Sequence, residues 1–312
     1  MKVLKINFVD FWDHFEKRNN YFFNLLSKYY IIEISNNPNF LFYSSYGFDH
    51  LQYDCYKIFY SGENEYLDYN SFDFSFSFQY NFDKKNYRLP NWVFYDDPVK
   101  LCKYKDIDTI ISSKINFCNF IVSNPHSKKR INFFEKLNQY KKVDSAGLVL
   151  NNIGGPILNK RQFLNSYKFT IAFENSSAPG YSTEKIIEPM LENSIPIYWG
   201  DPIIYKDFNT KSFINYSDYE NEDDLINKII DIDNNLINYI KILNESWFNN
   251  NELPAYLEES NIIKRFDFIF NNAWKHKPVS KTYKKNIYSI NRVIKKIDNK
   301  LNFYFDYKDR YR

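Results

Sequence analysis

Hydrophobic residues in the first hundred positions fall in short runs separated by polar or helix-spaced stretches. Val3–Val9 is apolar and of strand length, Asp13–Lys28 reads as a helix, and Tyr30–Ile34 is β-branched and strand-like. Phe40–Tyr43, Tyr56–Tyr60 and Phe72–Phe78 read as further strands. Strands alternating with helices predict a parallel α/β sheet. Phe117–Val122 is another strand, followed by a helix from near Ser127 with Ile131, Phe134 and Leu137 on one face. Gly147–Asn159 holds Asn151-Asn152 and Gly154-Gly155-Pro156, which mark a loop. Tyr167–Glu174 then reads as a strand, Ser182–Glu192 as a helix and Ile195–Trp199 as a strand. Asp223–Leu243 has apolar Leu225, Ile226, Ile229, Ile230, Leu236, Ile237 and Ile240 at helical spacing. The pattern predicts two α/β domains without internal repeats, residues 1–119 and 120–272, followed by a tail at 273–312.

The tail differs in charge. Residues 275–312 carry twelve Lys/Arg and three Asp, a local +9 that leaves about −6 for the rest of a chain whose net charge is +3. Ile287, Ile290, Ile294, Ile297, Leu301 and Tyr304 recur at alternating steps of three and four, with Arg292, Lys295, Lys296 and Lys300 off that stripe. This basic amphipathic helix suits an anionic membrane surface or a partner helix, or equally the protein's own body. Its two and a half heptads are too few for a coiled coil, so a homodimer through the tail stays open.

Composition removes several classes. At +3 over 312 residues the chain as a whole is not a nucleic-acid binder. Cys55, Cys102 and Cys118 have no metal or redox spacing and suit a reducing compartment. His14, His50, His126 and His276 form no ligand pair, and a metal site on His and Cys is not expected. MKVLKINFVDFWDHF has no signal-peptide core, and no stretch reaches the ~18 apolar residues of a span, which places the protein in the cytoplasm. Aromatics are 20% of the chain, but Phe, Tyr, Asn, Lys and Ile are abundant together, as AT-rich codons produce. No function is read from them.

Chemistry concentrates in YKFTIAFENSSAPGYSTEKIIEPMLENSIPIYWGD, Tyr167 to Asp201. It reads as strand, small-residue loop, helix, strand, with the loop at the carboxyl edge where α/β sheets bind ligands. Ser182 or Thr183 can cap the helix, whose free N–H groups favour an anion. Lys185 in the first turn opposes the helix dipole, which makes sense if a diphosphate sits there. Glu184 can accept from a sugar hydroxyl. Pro189 removes a helical hydrogen bond and predicts a kink or a later start.

The same stretch, continued through Pro202, resembles the donor-binding signature of the family-10 α1,3/4-fucosyltransferases, especially the bacterial members that build Lewis-type antigens. FYSGENEYLDYNSFDFSFSF with Tyr87-Arg88-Leu89-Pro90 resembles the acceptor-side block, and FIVSNPHSKKRINFFEKL the block opening the donor domain. KDFNTKSFINYSDY from Lys206 continues the match, which spans roughly residues 1 to 245 in the family's order. The resemblance implies two facing Rossmann-like domains in the GT-B arrangement, with GDP-fucose held mainly by the second. It implies inverting transfer of L-fucose from GDP-β-L-fucose to O3 of GlcNAc in a Galβ1,4GlcNAc-type glycan, free or lipid-linked. One general base is then needed. That base falls on Glu63, with Glu65 as the neighbour that could be exchanged for it.

Arg130 carries over as the diphosphate-binding arginine and Lys185 as its companion, and two fixed cations can stabilise departing GDP without a metal. In Lys128-Lys129-Arg130 the sequence does not show which cation points inward. Glu184 carries over as a contact to ribose or fucose hydroxyls, Asn175 and Tyr181 as donor contacts, and Ser123 and Asn124 more weakly. Glu174 could instead be structural. Asp96-Asp97 and Asp223-Asp224 lie outside the matched sites, so no bound metal or resident cofactor is expected. The animal members' membrane anchor is missing, which points to the soluble bacterial type, peripheral to the inner membrane and binding no nucleic acid.

Overall fold

The computed structural model describes residues 3–65, 67–80, 83–125, 127–155, 157–282, 284, 286–288 and 290. Along the chain the regular elements begin with β1 (Val3–Val9), α1 (Tyr21–Ser27), β2 (Ile31–Ile34), β3 (Phe40–Tyr43), β4 (Tyr56–Tyr60), β5 (Phe74–Ser77) and β6 (Asn86–Arg88). They continue with α2 (Ile107–Ser113), β7 (Asn116–Phe120), α3 (Lys128–Tyr140), β8 (Val143–Ser145), α4 (Lys160–Asn165), β9 (Tyr167–Phe173), α5 (Glu184–Leu191) and β10 (Ile195–Trp199). β11 (Ile214–Asn215), α6 (Glu222–Asn234), α7 (Leu236–Asn244) and α8 (Glu259–Asn272) complete the set. The apolar stripe beyond Ile290, and any heptad reading of it, lies outside the described residues.

Two parallel sheets result. One has the order β2-β1-β3-β4-β5-β6, the other β11-β10-β9-β7-β8. Every recorded pairing is parallel. β3, β4 and β5 are buried along their whole length, as expected of strands covered on both faces.

Contacts divide the chain into two compact units. The first runs to Ser77, resumes through Arg88 and is completed by the chain from Glu259; the second comprises Phe78–Tyr80 and Leu89–Glu258. This differs from the linear division expected at residue 120. Residues 89–119 belong with the second unit, and α8 returns to the first. The physical reason for that return is aromatic packing. Phe266 stacks on Phe76 at 4.8 Å and Phe270 meets Phe40 edge-on at 4.8 Å. Phe22 of α1 lies against Phe42, Phe76 and Phe266. Each such ring pair adds about 0.5–1.5 kcal/mol beyond the area it buries. Much of the aromatic content therefore forms core, in agreement with reading no function into it.

The second unit's core joins Phe120 and Val143 of the sheet to Phe133 and Phe134 of α3 and to Leu225 and Ile229 of α6. Two helices are shorter than the hydrophobic pattern suggests. In Asp13–Lys28 only Tyr21–Ser27 is helical, because His14 takes a left-handed turn (φ 65°) and Asn20 accepts from Phe23 N at 3.0 Å as a cap. Asp223–Leu243 is two helices, since the Asn235 side chain accepts from Ile237 N and Asn238 N and starts α7. Asp223 and Asp224 occupy the first turn of α6, but the cap is Asn221.

Candidate active site

In the second sheet the strand order reverses between β7 and β9, and the loops that leave the carboxyl ends of these adjacent strands lie where open α/β sheets bind ligands. The loop after β7 leads through Val122–Asn124 into α3, and the loop after β9 leads through Glu174 and Asn175 into α5. Gly147 holds the first loop close: a Cβ there would lie 2.0 Å from the Val122 carbonyl oxygen. Only glycine lets these backbones approach.

Arg130, in the first turn of α3, is only 1% exposed. Its Nη1 donates to Asn175 Oδ1 at 2.7 Å and its Nη2 to the Asn124 carbonyl at 2.9 Å. One guanidinium thus ties the β7 loop to the β9 loop. Its buried Nε has no hydrogen-bond partner among the described residues. Burial pulls its pKa down, against the attraction of Glu174 and Tyr181. Of its two neighbours, Lys128 is exposed and Lys129 lies 3.8 Å over the Tyr216 ring. Arg130 is the cation of that trio that turns inward.

At the start of α5 a second charged group forms. Thr183 is the N-cap, so the helix begins at Glu184 and not at Ser182. Glu174, 0% exposed, accepts from Thr183 N at 2.7 Å and from the Thr183 hydroxyl at 2.9 Å. Lys185 Nζ stands 3.0 Å from Glu184 Oε1 and 3.4 Å from Glu174 Oε2. Burial works against the Lys185 charge, yet the two carboxylates outweigh it and hold its pKa above the ordinary lysine value. For Glu184, burial pushes the carboxyl up but Lys185 brings it below its usual value; for Glu174, burial wins and the pKa rises. The lysine that opposes the helix dipole is thus balanced by Glu174 and Glu184, an explanation that the helix pattern alone did not offer. Because Glu174 also acts on Arg130, the two cations and two carboxylates form one coupled set whose formal charges cancel.

Pro189 lies inside α5; the helix starts at Glu184, two residues later than Ser182, as one of the two outcomes expected from the proline. The helix ends in a two-bond C-terminal motif, with Ser194 N donating to Pro189 O, Asn193 N to Met190 O and Asn193 at φ 52°. The missing hydrogen bond costs about 3 kcal/mol in a free helix. Here Ile186, Ile187, Pro189 and Met190 are all buried.

The walls of this loop are tightly fitted. Tyr181 is buried with its ring edge-on to Phe78 at 5.3 Å. Trp92 Nε1 donates to Ser182 Oγ at 3.1 Å. Asp201 accepts from Gly180 N at 2.7 Å, where Gly180 has φ 84°. Ser123 is exposed beside Asn124. A Cβ at Gly200 would lie 2.4 Å from Glu174 Cγ and 2.8 Å from the Tyr198 hydroxyl. Gly200→Ala therefore displaces the carboxylate that holds Thr183, and about 1–3 kcal/mol of destabilisation is expected. Urea unfolding with an unchanged midpoint would show that Glu174 has room to move.

Glu63 belongs to the first unit, in the turn after β4 at the carboxyl edge of that sheet. Its Oε1 accepts from the Tyr46 hydroxyl at 2.9 Å, and its carbonyl accepts from Ser61 Oγ and Glu65 N, each at 2.8 Å. It is partly buried. Tyr46 was not singled out by sequence, since its 17-residue separation from Glu63 leaves no local signal. Thr183 was seen only as a cap, and its bonds to Glu174 across nine residues were equally invisible. Among the described residues no group of three or more His, Cys, Asp or Glu side chains is placed to hold a metal ion, and no helix is long and apolar enough to cross a membrane.

Two family models match the chain. The α-(1,3)-fucosyltransferase FucT N-terminal domain covers residues 6–95, and the glycosyltransferase family 10 (fucosyltransferase) C-terminal model covers residues 111–290. The chain belongs to the family-10 fucosyltransferases. It is 31% identical to an α-(1,3)-fucosyltransferase FucT of Helicobacter pylori over 84% of its own length and 64% of that protein's. It is 36% identical to a putative fucosyltransferase R654 of Acanthamoeba polyphaga mimivirus over 52% of its length and 29% of the relative's. The chain therefore spans less than two thirds of either relative. Among solved structures, an α1,3-fucosyltransferase with GDP-fucose superposes with a TM-score of 0.74 at 26% identity, covering 90% of this chain and 92% of that one. The fucosyltransferase fold accounts for both parallel α/β units, which are consistent with the GT-B class.

Proposed function

We propose that this family-10 fucosyltransferase is an inverting α1,3-enzyme, moving L-fucose from GDP-β-L-fucose to O3 of GlcNAc in a Galβ1,4GlcNAc-type glycan. The observation that carries the reading is the buried Arg130 fork coupled through Glu174 to Lys185 at the switch point of the donor-side sheet. Open α/β sheets bind nucleotides at that point. A guanidinium and an ammonium already fixed in place can receive charge on the diphosphate without reorganising. In the proposed step the acceptor oxygen forms a bond to fucose C1 as the bond from C1 to the β-phosphate oxygen breaks. The electron pair leaves with GDP, towards Arg130 and Lys185. The acceptor proton passes to Glu63.

Glu184 would receive hydrogen bonds from ribose or fucose hydroxyls, with Asn175, Tyr181, Ser123 and Asn124 as further donor contacts. No metal or resident cofactor enters this step. The test is incubation with GDP-fucose and a small glycan panel, with and without chelator, and NMR assignment of the linkage. An α1,3-fucoside formed equally in both conditions is expected. Turnover of another nucleotide sugar only, or activity lost in chelator and restored by one cation, would overturn the reading. The location that accompanies it is the cytoplasm, peripheral to the inner membrane through the basic tail. Recovery of the full chain solely in the soluble fraction at low salt would exclude the membrane.

Tyr46 would act by positioning. Its hydroxyl fixes one oxygen of the Glu63 carboxylate. Tyr46→Phe is expected to lower kcat by about threefold to tenfold, the worth of one hydrogen bond, with KM for GDP-fucose unchanged. A KM change without a kcat change would assign Tyr46 to binding instead.

A further inference from the structure

The first unit holds a cavity of about 620 Å³ at the amino ends of β5 and β6, the sheet edge opposite to Glu63. Its size lies within the range of small-molecule sites, roughly 300–1,000 Å³. Lys84, Lys85, Lys275, Lys277 and Lys284 surround it. Among the described residues Asp73 is the one acid lining it, and that carboxylate is already committed. It is fully buried, accepts from Lys57 N at 2.8 Å and Val279 N at 3.0 Å, and stands 3.6 Å from His276 Nε2. Burial raises its pKa.

Asp83, which accepts from Lys85 N and Asn86 N, also acts on Lys85, so among the described residues two carboxylates stand against five lysines. Burial, then the nearby Lys284, lower the Lys85 pKa, and like charges brought together in this way attract an anion. Arg265 stands behind the wall, 5.8 Å from the Phe74 ring and 5.5 Å from the Phe268 ring. It donates to the Lys84 carbonyl at 3.0 Å, while its Nε and Nη2 have no hydrogen-bond partner among the described residues. Phe74, Phe268 and Val279 make part of the lining apolar. Cations beside aromatic walls fit a ligand that is anionic at one end and apolar at the other.

We propose that this pocket binds an amphiphile with an anionic phosphate headgroup, the phosphate among Lys84, Lys85 and Lys284 and the apolar part against Phe74 and Phe268. Calorimetric titration of the full chain with dihexanoyl phosphatidylglycerol, dihexanoyl phosphatidylcholine and inorganic phosphate, all as monomers in solution, tests it. The phosphatidylglycerol is expected to bind about tenfold more tightly than either of the others. In Lys85→Gln/Lys284→Gln its affinity should fall by about fivefold or more, because two charge-assisted contacts are lost. Phe268→Ser should weaken the lipid but not inorganic phosphate, and Arg130→Ala should leave lipid binding intact. Far-UV circular dichroism checks that each variant is folded.

Equal affinity for the two lipids, or no loss in the double lysine variant, overturns the proposal. Inorganic phosphate binding as tightly as the lipid assigns the pocket to free phosphate and removes the amphiphile. Loss of lipid binding in Arg130→Ala places the lipid in the donor-side site. Because the pocket residues are absent from the donor site, failure here leaves the fucosyltransferase reading standing.

Discussion

Glu63→Gln is expected to lower fucosyl transfer by about a hundredfold to ten-thousandfold, the range of one general base, while GDP affinity stays within about twofold. The substitution keeps the shape of the side chain and an oxygen that can accept from Tyr46, so the turn after β4 need not move. It removes the group that takes the acceptor proton. In a single displacement that proton has no second route of comparable ease, and the loss falls on kcat. GDP binding should be spared because Glu63 belongs to the first unit and Arg130 and Lys185 to the second. Single-turnover transfer to a Galβ1,4GlcNAc acceptor, with calorimetry for GDP, measures both quantities. Glu65→Gln is the control and should cost no more than about threefold. If Glu65→Gln carries the large loss instead, the base assignment moves two residues along the chain. If neither does, the proton goes elsewhere and the mechanism is wrong.

What the sequence made legible follows from the range of each signal. Short apolar runs located strands such as β3, β4 and β10 closely, since a buried parallel strand is apolar along nearly all its length, Lys57 of β4 being an exception. Helix ends were harder. Asn235 splits one apolar pattern into α6 and α7 by a capping bond that hydrophobic periodicity does not register. The domain boundary was harder still, because Phe266 and Phe270 meet Phe76 and Phe40 across roughly two hundred residues. Pattern shows that α8 has an apolar face; it does not show which sheet receives it.

At the site the same distinction holds. The helix-start lysine and the loop before it could be read as an anion site from local chemistry. Which of Lys128, Lys129 and Arg130 turns inward depends on Asn175 and Asn124 supplying acceptors, and only folding brings those together. Glu174 shows what pattern misses in the other direction. At the end of an apolar strand it looks like a strand terminus, yet it joins the Thr183 cap to both cations.

Arg130→Ala is expected to weaken GDP binding by about thirtyfold to a hundredfold or more, since bonds from a charged donor are worth about 1.5–3 kcal/mol each. Two effects add. The fork that would meet the diphosphate disappears, and the set of Arg130, Lys185, Glu174 and Glu184 passes from formal neutrality to −1, which repels the ligand. The Asn124 carbonyl and Asn175 side chain also lose their shared donor, so the β7 and β9 loops are no longer tied. Arg130→Lys separates the contributions. It restores the charge but not a planar fork able to reach both partners, and intermediate affinity is expected. Lys129→Ala removes a neighbouring cation that lies over Tyr216, and should change GDP affinity by less than about twofold. Calorimetry on folded variants decides the matter. GDP bound equally well by Arg130→Ala and the unsubstituted protein would sink the assignment, and a large loss in Lys129→Ala would transfer it to the neighbouring turn.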